Sequence, residues 1–453
     1  MTTYNPHWRL AGEPMPEGFA VPLAPRTARI ESSAEPPLHH QIFTWLVFWP
    51  LLTLIARRTV YFGGPPADAL TFRYGFSSAG REHVTIYITL LYLASFALAG
   101  YRQVWGVLSR NPLIPCCLSY AAISVLWSSS PRISLQMTLA ICLCSFFACY
   151  LSSRLTAERL MNLLIFVGTI AAVLSALFAL FLPRYGIGWS DGSQPWQGIC
   201  NQKNEFGMAM AFLLTPIFFT NKQRLLPKLG YAGFLLFLIF KSQSRGAWMV
   251  TAGMFLFVGW LALYRRLREH ESYLLIAATL LLVASVVVIG FTFIEPLTRL
   301  MGKDPTFTGR TDIYAESFKA FLKRPLFGYG FGTFWVGTNP ESTRIGLTVS
   351  FPNIGYAENG ILELALQLGL LGVGAVLTMI GTALLRAFRL IRSPFYNPRV
   401  GWYATLLILE LLTNIDAGWL MAAHTLDWVL TLIACVGLAS EIRRAPGPAP
   451  GVI

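Results

Sequence analysis

Apolar runs and short polar connections alternate over almost the whole chain. Runs of roughly 17 to 25 apolar residues are long enough to cross a bilayer as α-helices. The spacing therefore predicts an all-α polytopic membrane protein with about 12 transmembrane helices. The predicted spans are residues 41–57, 84–101, 112–128, 134–152, 160–182, 206–221, 229–241, 247–264, 272–293, 361–384, 402–417 and 426–440.

One long connection breaks this pattern between the ninth and tenth spans. Residues 294–360 form a loop far longer than the handful of residues that usually joins two elements. Loops of this length in compact proteins are usually functional. The loop also carries seven basic residues, and membrane topology gives no reason for them. We therefore expect the loop to take part in the protein's function.

A stretch inside this loop, TDIYAESFKAFLKRP, has the period of an amphipathic helix. We expect this helix to lie across the membrane face. Thr308 or Thr311 would cap its start, and Pro325 would follow its end. The apolar face would consist of Ile313, Tyr314, Ala315, Phe318, Phe321 and Leu322.

The composition supports one membrane domain and leaves no room for a separate soluble enzyme. Hydrophobic residues make up 55% of the chain and charged residues 13%, about half the charged share of an ordinary soluble domain. We predict a polar tail at 1–40, a transmembrane domain at 41–440 that includes the 294–360 loop, and a second tail at 441–453. The first tail contains no apolar core of a cleavable signal peptide.

The net charge of +13 is better explained by topology than by nucleic acid, because the basic residues are dispersed among loops and form no basic, aromatic face. With the N-terminus inside, sixteen basic residues fall in the inner connections and nine in the short outer connections. Cytoplasmic loops carry the excess of Lys and Arg. We therefore expect both termini in the cytoplasm and the 294–360 loop outside.

The seven cysteines show neither metal-ligand nor disulfide spacing, so we expect no metal ion and no other cofactor. Six of them lie in apolar runs and are expected to be small buried hydrophobic residues. Cys200 lies in a loop and has no obvious partner in the sequence.

Four polar clusters interrupt the apolar background, and the topology places all of them at the outer ends of spans or in the long loop. A cavity at the outer leaflet would draw them together despite separations of a hundred residues or more. The clusters are GICNQKNEFG (198–207), KSQSRGA (241–247), TGRTD (308–312) and GYAENG (355–360).

These clusters contain the cations Lys203, Arg245 and Arg310 and the carboxylate Glu358. The planar fork of arginine suits phosphate oxygens, and a carboxylate can take a proton from a hydroxyl. The combination predicts a site for a diphosphate leaving group and a sugar acceptor. The long loop also contains a glycine-rich motif, FGYGFG at 327–332. It is better interpreted as a tight turn than as a phosphate loop, because no strand precedes it.

The order of these motifs resembles the O-antigen ligase and Wzy-type polysaccharide polymerase superfamily over about residues 180–440. The resemblance implies a GT-C-like glycosyltransferase of the bacterial inner membrane, with its active site facing the periplasm. Its donor and acceptor would be undecaprenyl-diphosphate-linked oligosaccharides, and a flippase and a chain-length co-polymerase would be partners. The motifs are Asn201, Lys203, Asn204 and Gly207, then Ser244-Arg245, Gly309-Arg310, KRPLFGYGFGTF and ENGILELALQLGLLG.

The resemblance also suggests roles for single residues. Arg245, Arg310 and Lys203 would bind the lipid diphosphate. Glu358 stands where the family usually has His, so a carboxylate would replace imidazole as the general base. The other candidates, for contact with sugar, are Asn201, Asn204, Tyr329 and Asn359.

Structural interpretations of the same residues stay open. Glu358 would equally pair with Arg245 or Arg310 as a salt bridge, and either Arg245 or Lys203 would snorkel at a helix end. Asn201 and Asn204 would cap the sixth span. Of the six histidines, His424, near the outer ends of the last two spans, is the one that would replace the usual base; it would otherwise be an interfacial polar residue in a tight turn.

The predicted function is metal-independent, inverting polymerisation of lipid-linked repeat units. The first alternative is an O-antigen ligase, which would transfer the glycan to lipid A core. The second is a flippase or another transporter. Transporters commonly contain two related halves with broken helices at the midplane, and the sequence shows no such duplication.

Overall fold

The computed structural model describes residues 38–55, 90, 92–93, 101–188, 193–220, 224–282, 285, 310–335, 339–349, 355–418 and 420–444. Within these ranges the chain forms helices and turns, with one isolated β-bridge between Ile187 and Trp196. In chain order the longer helices are α1 Leu38–Ile55, α2 Tyr101–Ser109, α3 Leu113–Ile123, α4 Pro131–Arg154, α5 Ala157–Phe181, α6 Lys203–Leu214, α7 Leu225–Lys241, α8 Arg245–Arg266, α9 269–282, α10 Arg310–Lys323, α11 Pro340–Thr348, α12 Gly360–Arg392, α13 Pro398–Asp416 and α14 Leu426–Arg444.

The fold is that of an all-α membrane protein. In the described part of the chain, α4, α5, α8 and α12 are long and apolar enough to cross a bilayer. Shorter apolar helices occupy most of the other predicted spans. The predicted span 84–101 and the second half of 272–293 lie largely outside the described residues. The figure of 12 crossings and the loop topology therefore stay predictions.

Helix α14 forms the centre of the bundle. Its side chains are buried from Leu426 to Ala439 on all sides, as expected for a helix that is apolar around its whole circumference. Trp428 donates a hydrogen bond from Nε1 to Ser145 Oγ of α4 at 2.9 Å. On α13, Trp402 Nε1 donates to Thr215 Oγ1 at 3.0 Å, next to the end of α6. Buried indole groups thus find partners between helices.

Helix α12 is interrupted at Gly369, whose backbone has φ 64° and ψ −169°. The FGYGFG segment lies in this interruption as a tight turn, which agrees with the sequence interpretation. Tyr329 N–H donates to the carbonyl of Leu366 at 2.9 Å, and Leu370 N–H donates to the carbonyl of Pro325 at 2.8 Å. The turn therefore hydrogen-bonds the peptide groups that have no partner within α12 because of the interruption. Irregular backbone among membrane helices is tolerated only where its peptide groups find such partners.

The loop helix α10 forms where it was predicted, but one of its two proposed caps is excluded. It begins at Arg310, so Thr311 lies inside its first turn and does not cap it; Thr308 is outside the described residues. Its protein-facing side also contains polar residues, which pair with α11, and the apolar residues left exposed are on the side expected to lie against the membrane. The buried positions are Ile313, Glu316, Ser317, Ala320 and Phe321, whereas Ala315, Phe318 and Leu322 are exposed.

An ionic network fastens α10 to α11. The carboxylate of Glu316 pairs with Lys319 in the same helix and with Arg344 of α11. Glu341 of α11 pairs with Arg344 and with Lys323 at the end of α10. Lys319 and Arg344 together hold the pKa of the Glu316 carboxyl below its usual value.

One cysteine prediction needs correction. Cys116 is exposed on the surface of α3 and is not a buried hydrophobic residue. Cys200 lies in a loop as expected; it is buried, and its thiol donates to the carbonyl of Ile55 at 3.2 Å. That contact joins residues 145 positions apart, so it could not be predicted from the sequence.

Candidate functional site

The predicted cations lie at the first described residues of helices. Lys203 begins α6 and Arg245 begins α8, Arg310 is the first described residue of α10, and α12 begins at Gly360, two residues after Glu358. The N-terminus of a helix carries a partial positive charge and unbonded N–H groups. Each cation thus adds to a helix end that already favours anions.

The first two polar clusters lie against each other. Gly207 of α6 packs on Ala247 and on the Ser242 hydroxyl. Trp196 N–H donates to the carbonyl of Lys241 at 2.9 Å. These contacts place the starts of α6 and α8 side by side.

Tyr356 joins the first cluster to the fourth. Its hydroxyl hydrogen-bonds the side chains of Gln202 and Glu358, and the carboxylate of Glu205 is also close. Burial of the hydroxyl and the nearby Glu358 carboxylate raise the pKa of Tyr356. The phenol is therefore a neutral hydrogen-bonding group at neutral pH. It sets the Glu358 side chain beside the start of α6.

Helix α10 contacts the fourth cluster through Tyr314, whose hydroxyl donates to the backbone carbonyl of Glu358 at 3.1 Å. Tyr314 is one turn from Arg310 in the same helix. The backbone of Arg310 is therefore at the helix end that approaches Glu358. Its side chain lies outside the described part of the chain, as do Thr308 and Gly309.

The end of α13 is enclosed by the starts of α8 and α12. A Cβ atom at Gly246 would overlap the Asp416 carboxylate, and one at Gly360 would overlap the Asn414 amide, so both contacts depend on glycine. The side chain of Asn359 donates from Nδ2 to the carbonyl of Ile415 at 3.3 Å. The segments that carry Arg245 and Glu358 therefore flank the same helix end. We call this meeting point of α6, α8, α10, α12 and α13 the site end of the bundle.

Glu358 adopts an unusual backbone conformation, with φ 55°. Its side chain is half-buried. Gln243, two residues before Arg245, also has a positive φ, of 51°. Such conformations cost roughly 1–3 kcal/mol in residues other than glycine, and they concentrate at functional sites. Both segments are thus held in place by their surroundings.

Glu363, one turn into α12, is a site-end residue to which the sequence assigned no role. Its carboxylate is buried and accepts hydrogen bonds from Trp335 Nε1 at 2.7 Å, Ala357 N–H at 2.8 Å and Gln367 Nε2 at 2.7 Å. An acidic residue inside an apolar segment indicates a specific interior task. Ala357 and Gln367 are near Glu363 in sequence, whereas Trp335 lies 28 residues earlier, so the sequence alone could not reveal the indole donor.

The predicted sugar-binding residues fall into two groups. Asn201 and Asn204 are half-buried at the start of α6; Gln202 is the residue before that helix, so neither asparagine is its N-cap. Asn359 caps α12, accepting a hydrogen bond from Leu362 N–H at 3.0 Å. Tyr329 is buried, and its hydroxyl donates to the carbonyl of Ala320 at 2.8 Å. That hydrogen bond gives Tyr329 a packing role in the turn, away from the other three.

The other candidate base, His424, lies in a turn before α14 and also has a positive φ, of 57°. Its ring stacks on Tyr92, with 5.9 Å between ring centroids. The hydrogen bonds of Tyr356 and Tyr314 meet at Glu358, so Glu358 is the better placed of the two beside the cationic helix starts.

Residues 230–377 match the O-antigen ligase family. The chain is also similar to exopolysaccharide production protein ExoQ of Rhizobium meliloti (strain 1021), with 27% identity over 301 residues. The aligned part covers 62% of this chain and 66% of the relative, just under two thirds of the relative's length. The family match includes α8, the described part of the long loop, Glu358 and the first half of α12. The chain is therefore similar to the O-antigen ligase family over this region, and its long apolar helices are those of an integral membrane protein.

Proposed function

We propose that the protein is an inverting, metal-independent glycosyltransferase that polymerises undecaprenyl-diphosphate-linked oligosaccharides at the periplasmic face of the bacterial inner membrane. The observation that supports this function best is the meeting of helix starts headed by cations with the carboxylate segment of Glu358. A family match over the same residues and the exopolysaccharide relative support the substrate class.

The cationic helix starts would hold the diphosphate of the donor. Arg245, Arg310 and Lys203 each add a full charge to a helix N-terminus, and Arg can bind two phosphate oxygens at once. Negative charge grows on the diphosphate as the glycosidic bond breaks. Cations and N–H groups fixed beforehand stabilise that charge without reorganising during the reaction. The diphosphate would thus leave without the help of a metal ion.

Glu358 would act as the general base. The acceptor hydroxyl oxygen attacks the anomeric carbon from the face opposite the diphosphate, and the bond between that carbon and the diphosphate oxygen breaks. The acceptor proton passes to the Glu358 carboxylate. Tyr356, bonded to the same carboxylate, would fix its direction, and Asn201 and Asn204 would contact the sugar.

A polymerase is preferred over a ligase because the relative's name refers to exopolysaccharide production. Transfer to lipid A core is the second candidate, and the O-antigen ligase match favours it. Transport is the weaker explanation. Transporters use broken helices to bind substrate, but the interruption in α12 is occupied by the protein's own FGYGFG turn.

The test uses the purified full-length protein in lipid nanodiscs with a defined undecaprenyl-diphosphate oligosaccharide. A ladder of products, each one repeat unit longer, is expected, and it should persist in EDTA. A Glu358→Gln variant that is equally stable to heat serves as the matched control and should form no ladder. If products appear only after lipid A core is added, ligation replaces polymerisation. Loss of the ladder in EDTA would contradict the metal-independent mechanism.

A further inference from the structure

We propose that Glu363 is a positioning residue that holds the Glu358 segment in its reactive conformation. The inference rests on the proposed function, in which Glu358 is the base. It adds a residue that does not touch the substrate and acts through its hydrogen bonds.

Three donors meet on this one carboxylate, one from the long loop, one from the segment before α12 and one from α12 itself. Trp335 follows the FGYGFG turn, Ala357 precedes Glu358, and Gln367 is one turn further along α12. The three donor-acceptor distances are 2.7, 2.8 and 2.7 Å. Glu363 is 5% exposed and Ala357 is fully buried, so water does not compete for these bonds. The carboxylate therefore fixes the positions of all three segments.

The backbone of Glu358 is held from both sides. The amide of Ala357 is bound to Glu363, and the carbonyl of Glu358 is bound to the Tyr314 hydroxyl. A change of φ at Glu358 from 55° to an ordinary value would pull at least one of these groups from its partner. The left-handed conformation of the base thus depends on a carboxylate one turn away.

Glu363 also connects the base to the turn that fills the interruption of α12. The side chain of Gln367 donates to Glu363 and accepts from Gly332 N–H at 2.9 Å. Trp335 provides a second connection from the same part of the loop. The FGYGFG turn and the Glu358 segment therefore share one hydrogen-bonded centre.

A carboxamide cannot reproduce this arrangement. Glutamate offers acceptor positions on both oxygens, whereas glutamine has one acceptor oxygen and an NH₂ group that donates. In Glu363→Gln the NH₂ would face one or two of the N–H donors, and a buried donor would lose its partner. The segment would relax toward ordinary backbone angles, and the base would shift from its place.

The experiment compares Glu363→Gln with the wild type in the oligosaccharide assay. We expect kcat to fall about 10- to 100-fold, since displacement of a catalytic group by about 1 Å has that effect, while the donor KM stays within about twofold. The acid limb of the pH–rate profile should also shift, because the environment of the base changes. Hydrogen exchange at the Ala357 amide should become faster, a readout that does not require catalysis.

Two further variants make the outcome decisive. Glu316→Gln, the same substitution at a carboxylate of α10 that is paired with cations, should leave kcat within about twofold. Trp335→Phe removes one donor without stranding another and should lower kcat several-fold even if Glu363→Gln does not fold. Unchanged kcat, pH profile and Ala357 exchange in Trp335→Phe and Glu363→Gln would overturn the positioning role. A wild type without product would overturn the proposed function instead, and the exchange measurement would still test the positioning.

Discussion

Two glutamates near the long loop, Glu316 and Glu363, both have little exposed surface but are covered in different ways: the exposed cationic side chains of Lys319 and Arg344 cover Glu316, whereas Glu363 lies in the interior. Glu316 is 9% exposed and Glu363 is 5% exposed. Glu316 is paired with the cations Lys319 and Arg344. Glu363 accepts hydrogen bonds from an indole, a backbone amide and a carboxamide, none of which is charged. Both solutions satisfy a buried carboxylate.

The difference follows from what lies next to each residue. An ionic network suits the junction of α10 with α11, where its task is to fasten two short helices. A further cation beside Glu358 would make a base hold its proton less well. Uncharged donors position the Glu358 segment without that effect. The cations of the proposed site are thus at the helix starts, where a diphosphate is proposed to bind. The groups that hydrogen-bond Glu363, and so position the Glu358 segment, are uncharged.

The largest effect is expected at Glu358 itself. Glu358→Gln should lower kcat at least about 100-fold, because general-base catalysis contributes roughly 10²–10⁴. Glu358→His should retain part of the activity, and its acid limb should move up by about two pH units, since free imidazole titrates about that far above a free carboxyl. Product ladders measured across pH test both variants. Wild-type kcat in Glu358→Gln would exclude it as the base.

Substitutions of Arg245 test whether the charged part of the site end binds the diphosphate. Arg245→Ala should weaken binding of undecaprenyl-diphosphate oligosaccharide about 10- to 100-fold, the usual loss for a hydrogen bond to a charged group. Arg245→Lys keeps the charge but loses the planar fork, so an intermediate loss is expected. Affinity measured at two salt concentrations separates the contribution of the charge, which salt weakens, from that of the planar fork. Equal affinities for the wild type and both variants would contradict a role in diphosphate binding.

Tyr356→Phe tests the uncharged support of the base. The variant removes a hydroxyl that bonds Glu358 and Gln202, and we expect kcat to fall about 5- to 10-fold, which corresponds to one net hydrogen bond. Thermal stability should change little, because the ring stays in place. Single-turnover rates with saturating donor measure the effect. If kcat were unaffected, Tyr356 would be a packing residue only.

The smallest effect on activity is expected from the ionic network. Glu316→Gln should lower the free energy of unfolding by about 1 kcal/mol or less, with kcat near that of the wild type, because the partner side chains of Lys319 and Arg344 are 64% and 38% exposed. Because the pKa of Glu316 is lowered in the folded protein, its contribution is present above the unfolded-state pKa of about 4.3 and is lost as the pH falls further. Melting temperatures should therefore differ at pH 7 and converge in acid. A constant difference down to pH 3 would contradict the ion-pair explanation.

Hydropathy was enough to locate helices in nearly all predicted spans, with ends a few residues from those observed. It could not locate the interruption at Gly369, which lies inside the predicted span 361–384. The surrounding run LGLLG is uniformly apolar, and glycine is common in membrane helices. The partner of the interruption is a turn some forty residues earlier, and a periodic pattern contains no information about it.

Residue chemistry predicted that the polar clusters would come together. The first cluster contacts the second and the fourth, and α10, which includes residues of the third, contacts the fourth through Tyr314. It could not show which distant residue each polar side chain contacts. The partner of Glu316, for example, is Arg344, 28 residues further along the chain. The hydrogen bonds of Tyr356 to Gln202 and of Glu363 to Trp335 were invisible for the same reason.

The turn seated in α12 limits how this protein can move. Withdrawing residues 325–330 would leave the peptide groups of Leu366, Gln367 and Leu370 without partners among apolar helices, at a cost of several kcal/mol for each group. This part of the loop therefore cannot swing as a lid during turnover. Any passage that opens for a growing glycan has to form elsewhere than at this turn. The turn and α12 would move together as one rigid unit.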